Sequence, residues 1–210
     1  IGKYSQSGPR YTSYPTAVEF HDRFTAADYT RHLDASNTSK RDLSLYVHIP
    51  FCEHVCYYCG CNKIITHNHG QSDDYLDYLE RDIARQAAHI DKTRRVIQLH
   101  LGGGTPTFLD HTQMQRLLAM LRAHFPNFAA DDAGEYSIEI DPRTVTPADL
   151  GFLRGLGFNR VSFGVQDFDP RVQKAVNRIQ SFEHVRDTIV AAREAGYHSI
   201  SADLIYGLPL

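Results

Sequence analysis

Leu45-Tyr-Val-His-Ile-Pro-Phe-Cys52-Glu-His-Val-Cys56-Tyr-Tyr-Cys59-Gly-Cys61 contains all 4 cysteines of the chain, directly after a short apolar run. A run such as Leu45–Ile49 reads as a buried strand. Its C-terminal end delivers the cysteine loop. The C-x3-C-x2-C spacing lets one loop present three thiolates to a single compact object, so a metal ion or cluster is implied. Structural zinc sites usually add a second pair of ligands from farther along the chain. No remote Cys pair exists, which leaves zinc a reading with three thiols and one of His48, His54, His67 or His69. A [4Fe–4S] cluster normally takes four Cys, and three from one loop leave an iron open to a small molecule. Cys52, Cys56 and Cys59 are the ligands on this reading. Cys61, one residue further on, is expected to point away; its use as a fourth ligand is the alternative. Four Cys without a secretory signal do not resemble a disulfide scaffold, and a reducing cytoplasm fits better.

Outward from this loop, period changes alternate strand and helix. Leu76, Leu79, Ile83, Ala87 and Ile90 step by three and four, predicting a helix that Ser72 could cap. Val96–Leu101 is a second strand that runs into glycines. Met114, Leu117, Leu118, Leu121 and Phe125 mark the next helix, and Tyr136–Ile140 a third strand. Thr146-Pro147 reads as an N-cap with Pro at the first helical position, and Gly157 as a left-handed stop. Arg160–Val165, a helix over Phe182–Ala195 ended by Gly196, and Ser199–Ile205 complete the series. Five strands with helical crossovers predict an α/β fold with a parallel sheet. Residues 1–40 read as an N-terminal extension and 41–210 as the sheet domain.

The 210 residues suffice for one sizeable core, and 42% hydrophobic with 22% charged is ordinary for a soluble globular protein. A net charge of −3 gives no support for nucleic-acid binding. No apolar stretch approaches the ~20 residues of a membrane span.

The cysteine spacing after a strand resembles the radical S-adenosylmethionine (SAM) enzymes. The wider strings narrow the resemblance to the oxygen-independent coproporphyrinogen III oxidase family. They are Leu45–Cys52 through Cys61-Asn-Lys-Ile64, Gly8-Pro-Arg-Tyr-Thr-Ser-Tyr-Pro-Thr-Ala17, Gly102-Gly-Gly-Thr-Pro-Thr107, Ser137-Ile-Glu-Ile-Asp141, Gly164-Val-Gln-Asp-Phe168, Val176-Asn-Arg178 and Asp203-Leu-Ile-Tyr-Gly-Leu-Pro209. The resemblance implies a (βα)6 partial barrel, so this chain stops after the fifth predicted strand, with a C-terminal strand and domain absent. An unpaired sheet edge is therefore expected.

The resemblance also implies a [4Fe–4S] cluster and two SAM molecules. Tyr46, Gly103 and Glu139 would serve the first SAM and Gly104, Thr105, Gln166, Arg178 and Asp203 the second, while Tyr58 would place an aromatic ring between the cluster ligands, against an adenine. Read as bare residues, the glycines let backbone approach a ligand. Glu139 and Asp141 share one face of a strand, where a ligand ammonium or a structural ion pair would satisfy them. Asp203 among apolar neighbours is expected to be a buried charge needing a partner. Arg178 alone reads as a solvated charge, Tyr46 and Tyr58 alone as core aromatics, and His48 as a hydrogen-bonded strand histidine. The activity implied is reductive cleavage of SAM, removal of hydrogen from the propionate side chains of coproporphyrinogen III, and loss of carbon dioxide to leave vinyl groups. No catalytic acid or base is assigned, and the electron donor is unidentified. A haem-binding chaperone of the same ancestry, another radical SAM enzyme acting on a tetrapyrrole, and a zinc-stabilised interaction module are the alternatives.

Overall fold

The computed structural model describes residues 15–209; most of the Gly8–Ala17 string lies outside them. Helix α1 (Ala26–Ser36) starts at Thr25, whose hydroxyl accepts from the Asp28 N–H while the Asp28 carboxylate accepts in return. Strand β1 (Leu43–Ile49) leads to the short β2 (Phe51–Cys52), and β3 (Ile64–Ile65) follows the cysteine loop. Then come α2 (Gln71–Ala87), β4 (Val96–Gly103), α3 (His111–His124), β5 (Glu135–Ile140), α4 (Pro147–Gly155), β6 (Arg160–Gln166), α5 (Pro170–Ala175), α6 (Phe182–Glu194) and β7 (Ser199–Leu204). The main sheet has the order β1-β4-β5-β6-β7, every pair parallel. Each strand thus lies beside its predecessor of the main sheet, as crossover connections in an α/β fold require.

The strands are two-faced. Val47, Ile49, Leu99, Leu101, Ile138, Ile140, Val161, Phe163 and Val165 are buried and pack with Leu76 and Ile83 of α2, Leu117 and Leu121 of α3, Leu150 of α4 and Val185 of α6 in one core. The alternate positions Tyr46, His48, His100, Ser137, Glu139, Ser162 and Gly164 turn to the other face, as the period of two demands. That face is polar. Its side chains bond to one another across strands, and it carries the site.

Most termini follow local sequence chemistry. Thr146 caps α4 with Pro147 at the first helical position, and Gly157 has φ +107°. Ser72 does not cap α2: the helix begins at Gln71, and the buried Ser72 hydroxyl has no partner among the described residues. The expected cap yields to tertiary ties, because Gln113 of α3 donates to Asp73 at 3.0 Å and Arg116 reaches Asp77 at 2.6 Å. At the outer strand β7, Leu204 is 66% exposed, as an uncovered sheet edge would be.

Candidate functional site

The cysteine loop is pinched at its neck and tied at its tip. At the neck β2 pairs in parallel with β3, and Thr66 N–H donates to Cys52 O at 3.0 Å. At the tip Lys63 Nζ donates to Cys59 O at 2.9 Å. Two further ties come from the segment after α5: Tyr57 N–H donates to Val176 O at 3.0 Å, and Asn177 Nδ2 to Val55 O at 2.8 Å. Asn177 has φ +57°, a left-handed conformation that Asn tolerates better than most residues.

The end of β4 lies directly against this loop. Gly104 N–H donates to Ile49 O and Thr105 N–H to Phe51 O, both at 2.8 Å. A Cβ on Gly104 would sit 2.6 Å from Phe51 O and 3.0 Å from Cys52 Sγ, so only glycine fits. Gly103 has φ +115°, and a Cβ there would strike the His48 ring. The Thr105 hydroxyl faces Cys52 Sγ at 3.4 Å.

Two carboxylates close the other side. Glu139 accepts from His100 Nε2 at 3.0 Å and from Gly103 N–H at 3.2 Å. The His100 bond holds its carboxyl below the usual range against the opposing effect of burial. His100 is itself fixed by Ser137 Oγ at 2.5 Å and by the Tyr46 ring stacked 5.7 Å away. The Tyr46 hydroxyl meets His48 Nδ1 at 3.0 Å, and His48 Nε2 meets Asn62 O at 2.7 Å, so a neutral His48 that donates from Nε2 accepts the Tyr46 proton at Nδ1.

Asp141, just past β5, accepts from Arg143 Nη2 at 2.6 Å and from Arg178 Nη1 at 3.1 Å. Burial pushes its carboxyl up, but the Arg143 bonds and both guanidinium charges outweigh that and hold it low. Arg178, with a side chain only 8% exposed, also donates to Gly164 O; its Nε–H has no partner among the described residues. A Cβ on Gly164 would meet Gln166 and Arg178 at 2.9 and 3.0 Å. Tyr58 is half-buried, and burial drives its hydroxyl pKa upward.

The cysteine loop, the end of β4 and the two carboxylates border an open cavity of about 230 Å³. Cys52, Cys56, Cys59, Tyr58, Gly103, Gly104, Thr105, Glu139, Gln166, Arg178 and Asp203 all line it. Tyr46 does not; it is 59% exposed and belongs to the His48–His100 cluster on the same sheet face. The structure corrects what the bare residues implied. Arg178 is buried and ion-paired, not solvated, because β6 and the segment after α5 enclose it. Asp203 is exposed, not a buried charge, because β7 is an outer strand; its Oδ1 accepts from Ser162 Oγ at 2.9 Å. Cys61, exposed, lines the same cavity as the other three thiols and does not point away from it. Sequence reading passed over Arg143, two residues past Asp141, and His100, two before Gly102 on the same face. Period-two spacing was the available signal for His100.

The donor set suits a cationic cluster. Burial, with the Cys59 and Cys56 charges adding to it, pushes the Cys52 thiol up, so three thiolates this close call for a positive partner. Among the described residues, no three His, Cys, Asp or Glu side chains converge as a single-ion site requires. The thiols instead line one cavity together, and Cys thiolates are the usual ligands of an iron–sulfur cluster.

The radical SAM superfamily model matches residues 46–210. An oxygen-independent coproporphyrinogen III oxidase of Pseudomonas aeruginosa is 54% identical over 209 residues, covering 100% of this chain and 45% of the relative. Its namesake in Escherichia coli K12 is 50% identical, covering 100% and 44%. The chain therefore spans about half the length of the curated relatives it matches. Among solved structures, the Escherichia coli coproporphyrinogen III oxidase, described as a radical SAM enzyme, superposes with a TM-score of 0.87 at 48% identity over 95% of this chain and 45% of that one. The archaeal Elp3 of Methanocaldococcus infernus, at 16% identity and TM-score 0.52 over 80% of this chain and 39% of that one, shares the fold alone.

Proposed function

Because the chain belongs to the radical SAM superfamily, we propose that it is the cluster-bearing part of an enzyme that oxidatively decarboxylates the propionates of coproporphyrinogen III to vinyl groups, giving protoporphyrinogen IX. The observation that carries this reading is the cavity itself. It gathers Cys52, Cys56 and Cys59 with nearly every other residue singled out by the motifs, in a chain 54% identical to a protein named for that reaction.

Cys52, Cys56 and Cys59 would hold a [4Fe–4S] cluster. When bound, the cluster supplies the single electron that cleaves SAM reductively. Glu139, kept ionised by His100 and Gly103, offers a carboxylate to the SAM ammonium, and Gly103 allows close approach of the backbone. Tyr46 fixes His100 by stacking on its ring and serves the first SAM. Gly104, Thr105, Gln166, Arg178 and Asp203 serve a second SAM, with the Arg178 guanidinium at the cavity wall as a positive charge for a carboxylate and Asp203 as an acceptor for ribose hydroxyls; the Tyr58 ring lies between the cluster ligands and packs against an adenine. An electron donor completes the system. Reduced thiols suit a cytoplasmic location; among the described residues no helix is long and apolar enough to cross a membrane.

The test is anaerobic reconstitution with iron and sulfide, then EPR of the dithionite-reduced protein with and without SAM. A reduced-cluster signal that changes on adding SAM supports the open-iron site. Full-length protein should then convert coproporphyrinogen III to protoporphyrinogen IX, read by porphyrin fluorescence after oxidation. A signal indifferent to SAM, or zinc without iron, refutes the reading.

A further inference from the structure

The three thiols differ in what surrounds them. Cys52 receives one neutral donor, the Thr105 hydroxyl at 3.4 Å. Cys56, the buried member of the set, has Arg178 Nη1 at 3.5 Å. The Arg143 guanidinium, paired to the same Asp141 as Arg178, lines one cavity with Cys56 and Tyr58. Both guanidiniums bind one carboxylate, Asp141, whose side chain is 10% exposed. Two cations against one anion leave about one uncompensated positive charge against Cys56. The arrangement draws on the Cys loop, the turn after β5 and the segment after α5, and Gly164 O anchors Arg178 within it at 2.5 Å. A solvated ion pair would need none of this enclosure. Charges in so buried a place act with little screening.

We propose that Arg143, Asp141 and Arg178 form a fixed-charge device that sets the reduction potential of the cluster through Cys56. The inference rests on the reading that Cys56 ligates the cluster. The step concerned is a one-electron reduction: [4Fe–4S]2+ takes one electron, from dithionite in the assay, and becomes [4Fe–4S]+. The guanidiniums gain and lose no proton. The reduced form carries one more negative charge, so positive charge and donors at a ligand sulfur favour it and raise the potential. Arg143 therefore acts as a tuning residue through its charge. Asp141 opposes it and sets the net effect.

The test is an EPR-monitored redox titration of reconstituted full-length protein without SAM. Arg143→Met should lower the potential, and Asp141→Asn should raise it. One unit charge at low screening changes the reduced-to-oxidised ratio at a fixed potential on the order of tenfold, which for one electron is about 59 mV. Arg143→Lys keeps the charge and should restore most of the wild-type value. Opposite shifts from two residues two positions apart are not what a loosened loop produces. Potentials that stay put, or move in the same direction in Arg143→Met and Asp141→Asn, overturn the inference. Should Arg143→Met fail to take up iron, the Asp141→Asn titration decides alone, and the absence of a rise there overturns it equally. Cys56→Ser separates this from the underlying reading: undiminished cluster in that variant would remove Cys56 as a ligand, whatever the potentials do.

Discussion

Replacing Gly104 with Ala isolates how closely β4 must press against the cysteine loop. Gly104 has no left-handed backbone requirement, so steric space alone is tested. The added Cβ would lie 2.6 Å from Phe51 O, where ordinary contact begins at 3.4 Å, so the strand end and loop must part by 3.4 − 2.6, about 0.8 Å. Thr105 N–H donates to that same oxygen at 2.8 Å. Opened by the same amount, the contact passes 3.5 Å and the hydrogen bond is lost. Overpacking of this kind costs about 1–3 kcal/mol, and the lost bond adds about 1 kcal/mol. A destabilisation of about 2–4 kcal/mol follows. The displacement also bears on Cys52 Sγ, 3.0 Å from the new methyl group, so iron per chain after anaerobic reconstitution should fall well below the wild-type figure. Urea denaturation of the apo-protein and iron analysis of the reconstituted protein measure the two effects separately. Gly151→Ala is the control: it lies inside α4 with nothing within 4 Å of its Cβ, and should stabilise by roughly 0.5–1 kcal/mol. A Gly104→Ala protein with wild-type urea midpoint and full iron content would refute the steric reasoning.

Serine at Cys52, Cys56 or Cys59 should each abolish a stable [4Fe–4S] absorbance and EPR signal, while Cys61→Ser keeps both; loss of the cluster in Cys61→Ser would make Cys61 a fourth ligand. His100→Ala frees the Glu139 carboxylate from its firmest partner and should weaken SAM binding roughly tenfold, worth about 1.4 kcal/mol, whereas His100→Gln, which can still donate, should retain most of the affinity measured by SAM titration of the EPR signal. Asp149 gives a pH test remote from the site. Burial raises its pKa, but the bonds from Thr146 and His111 outweigh this and leave it depressed, so its contribution is present above the unfolded value near ~3.9 and fades as pH falls through the lower folded value. Asp149→Asn should cost about 0.5–1 kcal/mol at pH 7, with the gap closing below about pH 4; a gap constant down to pH 2 would contradict this.

The fold was legible because each strand carried its own punctuation. Val96–Leu101 ran into glycines, Thr146-Pro147 announced α4, and Gly157 and Gly196 stopped helices with φ +107° and +86°. Ser72 misled because a cap competes with contacts between α2 and α3 that a linear reading cannot see. The site divides in the same way. Residues inside motifs, such as Gly103 and Glu139, were visible from spacing and family likeness. His100 and Arg143 gain their importance from tertiary partners: His100 from Ser137 and Glu139 on the next strand, Arg143 from a carboxylate that it shares with the distant Arg178. Asp203 looked buried because its neighbours are apolar, yet exposure depends on whether another strand covers β7.

The tether between Asn177 and Val55 spans 122 residues of chain, and that distance has a temporal meaning. A newly made chain exposes all four thiols long before Val176 and Asn177 exist to hold their loop in shape. Closing so long a loop is entropically costly and slow, and happens only once the intervening strands have paired. Iron is therefore expected to enter late, after β6 has docked. In refolding with iron and sulfide present, cluster absorbance should lag the burial of the core aromatics; cluster formed before that burial would show that the loop assembles without its distant anchor.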